Sequence, residues 1–594
     1  MFIARFCASV IASRSRSTIS RRRRISCWRP HNMRRLWGMI WAIALLSAPA
    51  LAQVPCPEGG VSFPPHYLSD RVFRDGLSQT RQVPASPNHV SGLIIPHHLE
   101  MPDLIAGGLR RATDQKPNRI ILLFPDHFYR ATRPFATTRW GFDTVLGPVA
   151  TDSAAAGALL AEAGLVEDSC LFGAEHGLRA VLPFVAELFP DVPVLPIAIA
   201  ISATRQDWDR MADLLEPLLG DDTLLVQATD FSHYLPHHLA RQRDQQVLNL
   251  LAAGDLDGLA GLVQPDHVDS TGALYLTALL QARRYGAAPV VLESRNLQQK
   301  SDALIAETTS YLVAEYTAPA ADPGPVGLGE GPVYVLGGDV FLGRSLPRLL
   351  SDELVIEAVK DAALGATRGL PLIANLEGVL LPDMPSGLPE LLLAMPGDLA
   401  IDWARRLNIV GFGLANNHAN DIGPSGLAET HRALTSAGIP WFGPGQALHL
   451  PGVTIVGLSD LDGAAQQRAD RLSDTDLDHL IRSDASVPVV AFVHWGREFL
   501  TRPRPREVAL ADRMRQRGVS AIIGAHPHAA SQGLRAISGG DTVILHSLGN
   551  FLFDQMPPEA SGALAEIRTF RQGTIFLRQL PLPSLYSVAK VAAD

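Results

Sequence analysis

Five apolar runs in the second half of the chain each close on residues able to bind metals or move protons. They end at Asp339 in GGDV, Asn375 and Glu377 in NLEG, Asn416, Asn417 and His418 in ANNHAND, His494 in VHWG, and His526 and His528 in AIIGAHPH. Carboxylates, amides and imidazoles brought to one sheet edge make a ligand set for hard-to-borderline divalent cations. A carboxylate can bridge two such ions about 3.5–4 Å apart, which then clamp the attacking and leaving oxygens of a displacement at phosphorus. His526 and His528 alone fit a polar turn with solvated imidazoles equally well. Five such ends in order point to the metal site.

The first half repeats the pattern with His97 and His98 after LIIP, Asp126 and His127 after IILLFP, Glu175 and His176 in GAEHG, and Asp230 and His233 in ATDFSHY. DSTGALYL follows at 269–276. Four His-bearing ends in one unit suggest a mononuclear metal pocket or an acid/base pocket. Other polar residues carry plainer readings. Asn416 and Asn420 could only shape a turn. Arg344 and Arg497 are either surface charges or oxyanion clamps, and His546 reads as a packed histidine.

The elements that must position these residues alternate. HVSGLIIPHH, NRIILLFPDH, VPVLPIAIA and DTLLVQATDFSH read as buried strands, and WDRMADLLEPLL and RDQQVLNLLAAG as helices. In the second half VYVLGGDV, LPLIANLEG, NIVGFGLANNH, VTIVGLSD, VPVVAFVHWG and VSAIIGAHPH are strands, while GLAETHRALTSAG and REVALADRMRQRG are helices. Both halves are therefore α/β, and open α/β sheets place ligands at the carboxyl ends of their strands. The Pro- and Gly-rich stretch 318–332 reads as a flexible interdomain linker. The expected layout is a leader at 1–52, an extension at 53–87, a first domain at 88–317, the linker, a second domain at 333–580 and a tail at 581–594.

Residues 1–52 carry ten arginines and no acidic residue, then an apolar run and Ala50-Leu51-Ala52. That order is a secretory signal, expected to be cut after Ala52. Met33 is an alternative start that gives a leader of ordinary length, and an uncleaved anchor is the other reading of the segment. Removing ten positive charges takes the formal net charge from −9 to −19. So acidic a chain is a poor partner for nucleic acid. Two of its four cysteines, Cys56 and Cys170, lie beyond the leader and are free to pair after export.

Nearly all of 332–555 resembles the CapA-type family of capsule and poly-γ-glutamate biosynthesis, through GGDVFLGR, NLEG, NNHANDIGPSGL, VHWGREF, GAHPH and HSLGNFLFD. That family in turn is similar to calcineurin-like metallophosphatases, which implies an αββα sandwich. The resemblance makes Asp339, Glu377, Asn417, His494, His526 and His528 metal ligands, and His418 a general acid near the leaving group. The sequence departs from the pattern at Phe341, where metallophosphatases carry histidine, and at Ala525, the first place of a common three-histidine motif. Residues 88–315 resemble the Memo-like family, protein B of the AmmeMemoRadiSam system, whose fold is similar to class III extradiol dioxygenases. That resemblance makes His97 and His127 metal or pocket histidines, with Glu175, His176, Asp230 and His233 completing the pocket. Thr271 stands where the family often has cysteine.

The expectation is an exported periplasmic or cell-envelope protein of two α/β domains. It would use a divalent metal (Mn, Zn or Fe) to hydrolyse or transfer groups on a cell-envelope polymer or small phosphoester. One alternative is a non-catalytic envelope factor that holds polymer or metal. Another, for the first half, is oxidative chemistry at iron held by His97, His127 and Glu175. The sequence leaves the oligomeric state open.

Overall fold

A computed structural model describes residues 61–317, 321–324, 326–461, 477, 487–558 and 560–594. The leader, its cleavage site and Cys56 lie outside the described residues. Cys170 is disulfide-bonded. Among the described residues no helix is long and apolar enough to cross a membrane.

The first half is built on a nine-stranded mixed sheet. Its centre is four parallel strands in the order Val90–Ile95, Thr223–Ala228, Arg119–Pro125 and Val194–Ile199. Three are apolar and wholly buried, and the fourth is buried from Ile120 onward, as expected of parallel strands covered on both faces. Their carboxyl ends lie side by side, so the residues that follow Ile95, Pro125 and Ala228 meet over one sheet edge.

The second half holds a seven-stranded and a six-stranded sheet. Buried residues from both, among them Leu336, Ile373, Ile455, Phe492, Ile523 and Leu545, pack together as one core. The helices Glu353–Thr367, Gly397–Arg406 and Leu585–Ala593 cover the outer face of the larger sheet. Pro505–Gln516 covers that of the smaller one. In the larger sheet Asp339 and Asn375 stand opposite each other, as do Asn375 and Gly413. In the smaller, His494 stands opposite Ala525. The parallel strands of both sheets thus deliver their ends to one place.

Described residues of the connecting stretch are packed against the first half. Val326 and Leu328, in the stretch expected to be a linker, are buried against Val83, Met101, Leu104 and Tyr311. The long helix His237–Ala253 of the first half lies on the strand Thr574–Leu582 of the second. Gln245 Nε2 donates to the Ile575 carbonyl at 2.9 Å, and its Oε1 accepts the Ile575 N–H at 2.9 Å. Asn249 donates to the Gly540 carbonyl at 2.7 Å. Val247, Leu250 and Leu251 share a core with Phe570 and Phe576. A chain nicked by protease within 318–332 is therefore expected to elute from a native sizing column at its intact size. Separation into two half-sized species would contradict this interface.

Two candidate metal centres

In the second half, Glu377 belongs to two groups of potential ligands. One is Glu377, His494 and His526; the other is Asp339, Glu377 and His528, and within each the donor atoms lie within 4.8 Å of one another. All five residues are buried. Both carboxylate oxygens of Glu377 are shut off from solvent without a hydrogen-bond partner, as is His526 Nδ1. A buried, unpaired carboxylate is costly, so the donor set fits a cation that would complete it.

The backbone explains the spacing of the two histidines. Gly524 packs so closely that a Cβ there would stand 1.8 Å from the His546 carbonyl oxygen and 2.5 Å from Trp495 Nε1. The chain then turns through left-handed conformations at His526 (φ 93°) and His528 (φ 56°), on either side of Pro527. Non-glycine residues held there store strain, a recurrent feature of functional sites. The His526 N–H donates to Asp339 Oδ2 at 3.1 Å. His528 Nδ1 lies 2.8 Å from Asn550 Oδ1, which leaves Nε2 free.

A chain of amides holds the rest. Asn416 Nδ2 donates to Asn375 Oδ1 at 3.0 Å, and Asn375 Nδ2 donates to Asp339 Oδ1 at 2.8 Å and faces His494 Nδ1 at 3.2 Å. His494 Nε2 faces Asn417 Oδ1 at 2.9 Å and Glu377 Oε1 at 3.5 Å. His418 stands at the rim. Its Nδ1 lies 2.7 Å from Asp421 Oδ2 and its Nε2 lies 3.9 Å from Glu377 Oε1. Burial pulls the His418 imidazole down, but the Asp421 bond and the Glu377 charge outweigh it and hold it above its ordinary range.

Burial raises the Glu377 carboxyl, yet the charges of His528, His494 and His418 outweigh it and hold the group well below the usual range. Burial and the neighbouring Glu377 charge push Asp339 well above it. Burial also pushes His494 and His526 down, so both stay neutral below the ordinary imidazole range. Ligands must be deprotonated to bind. As pH falls, Asp339 is protonated before Glu377. Metal measured across an acid series is expected to leave in two stages, the Asp339 side first. Loss in a single stage, or a two-stage loss that persists in an Asp339→Asn chain, would contradict that ranking.

The position where the resemblance implies a histidine holds a packed aromatic ring. Phe341 is buried, its ring 5.2 Å from Phe553, whose ring in turn lies 4.9 Å from that of His528. Arg344 stacks over both phenylalanines and pairs with Asp554 at 2.6 Å. His546 packs against Trp495, whose indole N–H donates to its carbonyl at 3.0 Å.

In the first half His97, His127 and His176 bring ring nitrogens within 4.8 Å of one another, and His97 forms a second group with Asp230 and Asp269. His97 Nδ1 donates to the Ala228 carbonyl at 3.0 Å, which leaves Nε2 facing the pocket. Asp230 accepts the His97 N–H at 3.1 Å. Glu175 lies behind His127: its Oε1 is 2.6 Å from His127 Nδ1 and accepts the Gly177 N–H at 2.9 Å. Of the expected pocket residues, His97, His127 and His176 form one candidate ligand group, and Glu175 is not a member of it. The Glu175 carboxylate orients His127 from behind, as groups that support metal-binding histidines do. Burial lowers the His127 imidazole, but bonds to Asp269 and Glu175 outweigh it and raise it to about 10. Burial and the charges of His127 and His97 lower His176 to about 3. His233 stands outside both groups, its Nδ1 turned to the Phe231 carbonyl.

Four residues of these centres were absent from the expected sets. Asn375 was visible as a strand end but not as the hub it is. Asp421 follows His418 at i+3, a spacing that places side chains together in a helical turn. Asn550 and Asp269 carry no local signal that separates them from turn and cap residues.

The fold and sites define a chain of two α/β halves, each with a buried histidine–carboxylate cluster at its strand ends. Residues 69–305 match the family model described as Memo-like protein. Residues 333–452 and 461–555 match that described as bacterial capsule synthesis protein PGA_cap. A MEMO1 family protein of Caldivirga maquilingensis is 23% identical over 244 residues, 40% of this chain and 86% of that one. The capsule biosynthesis protein CapA of Bacillus anthracis is 32% identical over 194 residues, 28% of this chain and 46% of that one. The PGA biosynthesis protein CapA of Bacillus subtilis is 32% identical over 170 residues, 25% of this chain and 44% of that one. The chain thus spans under half the length of these two capsule proteins, and joins a Memo-like half to a CapA-like half.

Proposed function

We propose that the protein is an exported, metal-dependent hydrolase or transferase whose second half acts on a phosphoester or cell-envelope polymer in capsule-type biosynthesis. The observation that carries this reading is Glu377, whose buried, unpartnered carboxylate is shared by two ligand groups. It fits the two-layered, helix-covered fold expected of a metallophosphatase and the names of the CapA relatives. A bound divalent pair would supply Lewis acidity and a water of lowered pKa. The chain's own part is to hold Asp339 and His494 through Asn375, and to favour the protonated form of His418 through Asp421. A protonated imidazole at the rim suits donation to a leaving group. The disulfide at Cys170 supports export, because such bonds persist in oxidising compartments.

Purified protein reconstituted with manganese or zinc is expected to cleave bis(p-nitrophenyl) phosphate. The His418→Gln chain should keep its metal but lose about 10²–10⁴-fold in kcat. Phe341 in a ligand position favours a second reading, an envelope factor that binds without turnover. Stoichiometric metal with no cleavage of any phosphoester tested would replace the first reading with that one.

A further inference from the structure

The first-half centre contains a carboxylate that neither its strand ends nor its histidines account for. Asp269 Oδ2 lies 3.3 Å from His97 Nε2 and 3.6 Å from His127 Nε2. These are the ring nitrogens that remain when Nδ1 of each ring is held by Ala228 or Glu175. The same oxygen accepts the Asp230 N–H at 3.0 Å, while the Asp269 N–H donates back to the Asp230 carbonyl at 3.1 Å. This reciprocal pair pins Asp269 against the end of the strand Thr223–Ala228. The other oxygen, Oδ1, is buried without a partner, on a side chain only 7% exposed. A carboxylate with one oxygen unpaired and the other facing two imidazole nitrogens is an incomplete ligand sphere.

The neighbouring residues do not compete for the role. Ser270 caps the helix Thr271–Tyr285, its hydroxyl accepting the Ala273 N–H at 3.2 Å. Thr271 is buried at the first turn of that helix, and its hydroxyl donates to the Leu262 carbonyl at 3.4 Å. The position that resembles a cysteine site therefore has no thiol, and its side chain is engaged elsewhere.

We propose that Asp269 is the anionic metal ligand of the first-half centre. Together with His97, His127 and His176 it makes a purely nitrogen and oxygen donor set, with Asp230 at its edge. Such a set selects hard or borderline divalent cations, and the lack of sulfur disfavours copper(I). The assignment concerns the first half alone and does not depend on hydrolysis by the second.

The test uses the full chain carrying Glu377→Gln, so that the first-half centre is titrated by itself. After chelation, cobalt(II) is added and followed by its visible absorption and by calorimetry. Asp269→Asn is nearly isosteric and keeps an acceptor for the Asp230 N–H, so its metal-free melting temperature should stay near the parent's. Its cobalt affinity is expected to fall at least about 100-fold, beyond the usual loss for a supporting residue. Thr271→Ala should bind as the parent does. Asp269→Cys should give a sulfur-to-cobalt charge-transfer band in the near ultraviolet, which reports ligation directly even where the asparagine variant folds poorly. Unchanged affinity in Asp269→Asn, or no such band in a folded Asp269→Cys chain, would overturn the assignment.

Discussion

Glu377→Gln is expected to strip the second half of both metal equivalents and reduce phosphodiester cleavage to background. The carboxylate is fully buried and is the member common to both ligand groups. An amide at this place keeps the shape but loses the negative charge. It also turns an NH₂ toward His494 Nε2 or toward the cation, because one of its two ends must be a donor. Affinity should drop at least about 100-fold, more than outer residues of a metal site cause. The metal-free chain should fold as well as its parent, since a buried carboxylate without an ion is itself a cost. Asp339→Asn is the comparison: Asp339 belongs to one group only, so one equivalent should remain. Elemental analysis of the three proteins separates these outcomes. Two equivalents retained by Glu377→Gln would remove the shared carboxylate from the centre.

Sequence carries some kinds of information about these sites and not others. The strand ends were legible because a wholly apolar run that stops at His97, His127, His494 or His526 breaks its own pattern at a sheet edge. Convergence followed from α/β topology, since parallel strands bring their carboxyl ends together. The rank of each residue within a site was not legible. Glu175 and Asp269 are both carboxylates near His127, yet one holds its Nδ1 from behind and the other faces its Nε2. Only the fold decides which side of an imidazole a carboxylate reaches. Asp269 was further hidden because Asp-Ser before a helix is the ordinary signature of a cap. The packing of Val326 and Leu328 was hidden for a related reason. Pro and Gly in 318–332 report backbone conformation, whereas burial of Val326 and Leu328 depends on a groove made by residues far away in sequence.

Glu566→Ala is expected to destabilise the protein by about 3–5 kcal/mol, the usual cost of leaving buried charges without their partner. Glu566 is fully buried in the strand Gly562–Phe570 and gathers three arginines. Arg568 Nε lies 3.0 Å from one oxygen, and Arg578 Nη2 lies 3.0 Å from the other, which Arg368 also contacts. Burial lowers Arg568 to about 10, still charged at neutral pH, so the carboxylate is needed to balance it. The cluster also holds the halves together. Arg368 pairs with Asp322 at 2.5 Å, Arg578 donates to the Ala321 carbonyl at 3.0 Å, and Asn88 of the first half donates to the Asp322 carbonyl at 2.6 Å. Losing Glu566 leaves three guanidinium groups facing one another beside the segment that joins the halves. Chemical denaturation should then show a lower midpoint, and the nicked chain should come apart on the sizing column where the nicked parent does not. Glu566→Gln, which keeps one acceptor, should fall between them. A Glu566→Ala chain as stable as its parent would mean that solvent reaches these arginines, and that the packing of Val247, Leu250 and Leu251 against Phe570 and Phe576 holds the halves without help from charge.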